Sequence, residues 1–173
     1  MAKTGLWAMA ALAVVAGGSG ASAQTPVPPS PKDFVLATAQ TDRYEIMAAS
    51  VASAQAQDPR VRSLAQQLLG DHTRARDALR QAAVAAGLPA PPDGMSSDEA
   101  SLLAGLQGLR GRDFDRAYAR QQVLVHTQAV AVADSFAAAG ADPTLRKAAQ
   151  AELPTLRDHL KAAQQLRADL GGP

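Results

Sequence analysis

The chain has three histidines in all, His72, His126 and His159, and no cysteine. Imidazole titrates near neutral pH and ligates transition metals, so these three residues and whatever acids accompany them are the places to look for chemistry. His72 lies at the centre of a stripe whose members are Val61, Leu64, Ala65, Leu68, Ala75, Leu79, Ala82, Ala83 and Ala86. Steps of three and four residues make that stripe one face of a helix. A histidine there needs a partner inside a core, because a buried unpaired polar group costs about 1–3 kcal/mol. His159 falls on a similar stripe of Leu145, Ala149, Leu156, Leu160, Ala163, Leu166 and Leu170. His126 stands about 120° from Phe114 on its own helix, and so flanks its stripe. Glu45 shares a face with Phe34, Ala37, Thr38, Thr41, Ala48 and Ala52.

Helix starts and stops place these four residues at one level. Ser30-Pro31 with Asp33, Asp58-Pro59 and Asp142-Pro143 are N-caps followed by first-turn prolines, and Ser96-x-x-Glu99 is a capping box. Gly87-Leu88-Pro89 and Gly140 end helices. The spacing predicts a first helix to about Gln57, a second from Pro59 to about Ala86, a short one over Ser96–Leu109, a long one over about Asp113–Ala139 and a last one from Pro143. At 1.5 Å per residue, Glu45 and His72 come level to within about 3 Å in an antiparallel hairpin. His126 and His159 then fall near the middle of a second hairpin. No run alternates with period two, so no sheet is expected.

The expected fold is all-α: a ferritin-like four-helix bundle built from two helical hairpins, with a crossover connection carrying the short extra helix. Asp58-Pro-Arg-Val-Arg62 is echoed 84 residues later by Asp142-Pro-Thr-Leu-Arg146, each opening the second helix of its hairpin. Residues 1–23 read as a secretory signal peptide, with a basic start, an apolar run over Leu6–Gly17 and a small-x-small site at Ala21–Ala23. Residues 24–31 form a proline-rich tether and 32–170 the bundle domain. Cleavage before Gln24 would leave no membrane span, and the lack of cysteine excludes a lipoprotein anchor. The expected location is the periplasm. Loss of Lys3 leaves 16 basic and 16 acidic residues, which gives no electrostatic case for nucleic acid or a membrane surface. A monomer or homodimer is expected.

The four inward polar groups support two readings. The first is a non-enzymatic structural network, with His72 bonded to Glu45 or each histidine bonded to a backbone carbonyl. The second is a transition-metal or redox site formed by Glu45, His72, His126 and His159. The network is preferred, because a di-iron carboxylate bundle needs Glu-x-x-His twice and the residues three before the histidines are Leu69, Val123 and Leu156. Asp71 and Asp158, each next to a histidine in sequence, point away from it on a helix and read as outer groups. Glu152 falls on the last stripe and either joins the network or leans outward, since Pro154 removes a backbone donor there. No nucleophile–base pair, phosphate loop, zinc tetrad or HExxH is present, so no catalytic residue is assigned.

Four stretches carry a family likeness: Phe34-Val-x-x-Ala37 with Glu45; Ala65-x-x-Leu68-x-x-Asp71-His72-Thr73; Phe114-Asp115-x-Ala117-Tyr118 running to His126; and Leu153-Pro154-x-Leu156-x-x-His159-Leu160. In this order they resemble the domain of unknown function 4142 family of exported bacterial helical proteins. The likeness spans roughly residues 31–166. It implies a ferritin-like fold and export, with a stress-related role as one form of the non-enzymatic reading, and supplies no activity, substrate or cofactor. One departure stands at Val125-His126, where relatives often place an acid before the histidine.

Overall fold

The computed structural model describes residues 28–171. The expected signal peptide and the first half of the tether lie outside the described residues. Five helices follow in order: α1 (Pro31–Gln55), α2 (Pro59–Ala85), α3 (Ser97–Gln107), α4 (Gly111–Ala139) and α5 (Pro143–Asp169). There is no strand among the described residues. Each expected cap is made. Ser30 Oγ accepts from the Asp33 amide at 3.2 Å, Asp58 from Arg60 at 2.8 Å and Asp142 from Leu145 at 2.9 Å. Ser96 and Glu99 form the reciprocal capping box. α1 stops two residues earlier and α4 starts two residues earlier than the sequence suggests. α5 runs unbroken through Pro154, which sits on its exposed side.

Packing gives the topology. α1 lies on α2 and α4 on α5, with α2 also facing α5 and α1 facing α4, while α2 and α4 barely touch. Around the bundle the order is therefore α1, α2, α5, α4. Asp115, near the start of α4, accepts the amides of Gln57 and Asp58 at 3.1 and 2.8 Å, so α4 begins at the α1–α2 turn. α2 ends at the opposite pole, and the connection returns the length of the bundle. α3 rides on α1 during that return: Thr41 donates to Glu99 at 3.1 Å and Gln55 to the Leu109 carbonyl at 3.1 Å. This is the crossover bundle expected from the caps.

The sequence echo has a physical basis. Arg62 reaches back to the carbonyls of Ala56 and Gln57 at 2.6 and 2.9 Å, and Arg146 likewise to those of Gly140 and Ala141. Each arginine thus closes the turn that precedes its own helix. This satisfies carbonyls that a helix end leaves without partners.

Two large apolar cores and a small third cluster of Ala133, Leu153 and Leu156 fill the bundle. One, near the α1–α2 turn, contains Tyr44, Leu64, Leu68, Phe114, Tyr118 and Leu166. The other, at the opposite pole, contains Leu79, Leu145 and the rings of Phe34 and Phe136, stacked with centroids 4.1 Å apart. The interior face of α1 is wider than the expected stripe. Val35, Ala39, Asp42, Tyr44 and Ala49 are buried, whereas Ala37, Thr38 and Thr41 are only half-buried. The reason is that α1 packs on three neighbours rather than two.

Candidate metal centre

All three histidines come from different helices of the bundle and meet in its core. α2 supplies His72, α4 His126 and α5 His159, each 1% exposed. One ring nitrogen from each lies within 4.8 Å of the other two. The ring centroids are 5.2–5.5 Å apart. The offset of His126 from its stripe is taken up by its helix, which buries a face broad enough to include Gln122 and Val125 as well.

The fourth helix contributes acids rather than a fourth imidazole. The expected His72–Glu45 bond is not made. His72 Nδ1 instead lies 2.8 Å from Asp42 Oδ1, one turn earlier on α1. Glu45 is fully buried, but its closest histidine contact is His126 Nδ1 at 3.8 Å, beyond hydrogen-bond range, and it is not part of the converging group. Asp71 does point away from His72, as helix geometry demands. That direction delivers it to the neighbouring α5, where Asp71 Oδ2 lies 2.9 Å from His159 Nε2. Asp42 is the residue that sequence reasoning missed. Its signal was the seven-residue spacing Val35, Asp42, Ala49, which keeps it on an interior line.

The hydrogen bonds fix which nitrogens are free. A carbonyl can only accept, so His126 Nδ1, 3.0 Å from the Gln122 carbonyl, carries a proton and Nε2 holds the lone pair. His72 Nε2 lies 3.4 Å from His126 Nε2 and must therefore be the donor between them. His72 Nδ1 is then an acceptor, and Asp42 must supply the proton. Burial favours that arrangement: it pushes the Asp42 carboxyl up to about 8, against the opposing charge of Arg76. His159 Nε2–H donates to Asp71, and its Nδ1 is buried with no partner.

Burial also controls charge. His72 and His126 are each lowered to about 3, by desolvation first and by neighbouring imidazoles second. At neutral pH His72 and His126 are uncharged bases. Glu45 is raised to about 8 by burial, with Gln122 close enough to oppose the shift although neither side chain finds a partner of hydrogen-bond geometry. Neutral imidazoles with buried lone pairs are what a metal needs as ligands, and protons need not first be stripped from imidazolium.

A cavity of about 330 Å³ adjoins the cluster and reaches His72 and Asp42. Glu152 is half-buried in its wall rather than bonded to a histidine. No helix among the described residues is long and apolar enough to cross a membrane.

Solved structures share this architecture. CopM in its Cu(II)-bound form is 20% identical, with a TM-score of 0.68 over 82% of this chain and 98% of that one. CopM in its Cu(I)-bound form gives 0.69 at 20% identity, covering 83% and 99%. A DUF305 fragment from Deinococcus radiodurans gives 0.67 at 22% identity, covering 83% and 98%. At these identities the likeness concerns the fold. No curated protein matches the sequence. Residues 16–166 match the family described as Domain of unknown function (DUF4142), and the chain belongs to that family.

Proposed function

We propose that this protein is an exported, non-enzymatic metal-binding bundle that holds one transition-metal ion between His72, His126 and His159. The observation that carries the reading is the convergence of three fully buried imidazoles whose outer nitrogens are each engaged by an acceptor or acid. Metal-bound histidines almost always make such a bond from the other ring nitrogen, which orients the ring. Distance agrees. Two nitrogens at 2.0–2.1 Å from a tetrahedral ion stand about 3.4 Å apart, and His72 Nε2 to His126 Nε2 is 3.4 Å.

Three imidazole nitrogens suit copper, zinc, nickel or iron, and the copper-bound forms of CopM make copper the first metal to test. Export is part of the proposal and rests on residues 1–23 as a signal peptide. Glu45, bonded to none of the three, is assigned to the surroundings of the site rather than to the ion. The absence of Glu-x-x-His argues against a di-iron centre and leaves a single-ion site untouched.

The test is metal analysis of untagged protein from the periplasm, followed by thermal unfolding with copper or zinc. At a free metal concentration of 1,000 times Kd, binding adds about 4 kcal/mol. That raises the Tm of a chain this size by roughly 8–16 °C. His159→Ala should abolish the rise. An unchanged Tm in wild type with every metal would leave the cluster as a structural network.

A further inference from the structure

Three imidazoles that are 1% exposed cannot meet a hydrated ion at the surface, so a bound metal needs a way in. Protein interiors have few voids larger than a water molecule. Here alanines at facing positions, among them Ala75, Ala129, Ala133 and Ala149, leave the 330 Å³ cavity in the half of the bundle beyond the histidines. Its wall includes the exposed Gln128 and Ala151 at one extreme and the buried His72 and Asp42 at the other, so it joins surface to site.

Its wall carries acids and no base. Glu99 and Glu152 line it together with Asp42, which holds its proton until an ion displaces it, and no lysine or arginine does. Asp42 is 3% exposed, and its Oδ2 is buried without a hydrogen-bond partner. Glu152 stands seven residues before His159 on α5, two turns away along the same face. Thr38 and Thr41 add hydroxyl oxygens to the wall. Oxygen atoms spaced along an otherwise apolar passage can replace waters that a cation sheds, whereas an anion would find no cationic group in the wall.

We propose that this cavity is the loading route for a divalent transition-metal cation, and that Glu152 and Asp42 hand the ion inward to His72. The proposal rests on the metal reading of the histidines and adds the path, its cation selectivity and its relay residues.

The experiment follows Co(II) uptake by folded, chelator-stripped protein in a stopped-flow instrument, through the visible absorption of the ion. Glu152→Gln keeps size and removes the charge. It should slow uptake about tenfold, the lower range for electrostatic focusing in a cleft, while the final stoichiometry stays at one ion per chain. Ala133→Leu fills the passage and should slow uptake at least as much. Refolding either variant from denaturant with Co(II) present should restore full loading at once, since the route is then bypassed. Circular dichroism checks that each variant is folded. Wild-type uptake rates in both folded variants would overturn the route while leaving the metal site standing. Failure of the wild type to bind Co(II), whether folded or refolded, would remove the metal reading and the route with it.

Discussion

Replacing Asp42 with asparagine separates a metal site from a structural network. With no ion bound, the hydrogen bonds require a proton on Asp42, donated to His72 Nδ1 across 2.8 Å. An amide NH₂ can make the same donation, so Asp42→Asn should leave metal-free stability within about 1 kcal/mol of wild type. The bound state is different. To present the Nε2 lone pair, His72 must move its proton to Nδ1, where a carboxylate is a strong, charge-assisted acceptor and an amide oxygen a weaker one. The amide also stabilises the tautomer that points a proton into the site. Losing such a carboxylate behind a ligating histidine costs about 10–100-fold in affinity, or roughly 1.4–2.8 kcal/mol. Competition against a chromogenic chelator measures the affinity, and urea unfolding with excess chelator measures the stability. Wild-type affinity in Asp42→Asn would refute the assigned tautomers. So would a metal-free destabilisation as large as that of His72→Ala.

The metal-free protein should show an unusual stability profile with pH. Asp42 and Glu45 are raised from 3.8 and 4.5 to about 8 on folding, so the folded state holds their protons longer and stability falls as pH rises through that interval. His72 and His126 are lowered from 6.5 to about 3, so stability falls as pH drops below 6.5. The two pairs oppose each other between about 4.5 and 6.5, which predicts a plateau there with losses toward pH 8 and below pH 4; a monotonic rise to pH 8 by urea titration would contradict the protonated carboxyls. Gly140→Ala should cost about 1–3 kcal/mol through overpacking. Its φ of −58° is permissive, but a Cβ would stand 2.6 Å from both the Phe136 ring and the Phe136 carbonyl oxygen. Unfolding with unchanged midpoint would show that α4 ends more loosely than described.

Much of this molecule was legible in one dimension. Each Asp-Pro or Ser-Pro start, the capping box at Ser96 and the stop at Gly140 act through atoms a few residues apart, so the sequence states them directly. Helix lengths then placed His72, His126 and His159 at mid-bundle, because rise per residue is nearly constant. Partner choice was not legible. One residue turns a helix face by 100°, so whether His72 meets Glu45 or Asp42 depends on the rotation of α1, which its contacts with α2, α3 and α4 set together. The same rotation explains Asp71. Local geometry turns it away from its neighbour His72, and only the position of α5 makes that direction a bond to His159. The sequence by itself determined which side chains could reach the core and at what height. The packing of four helices decided which nitrogens keep their lone pairs, because that depends on atoms brought together from segments as far apart as 88 residues.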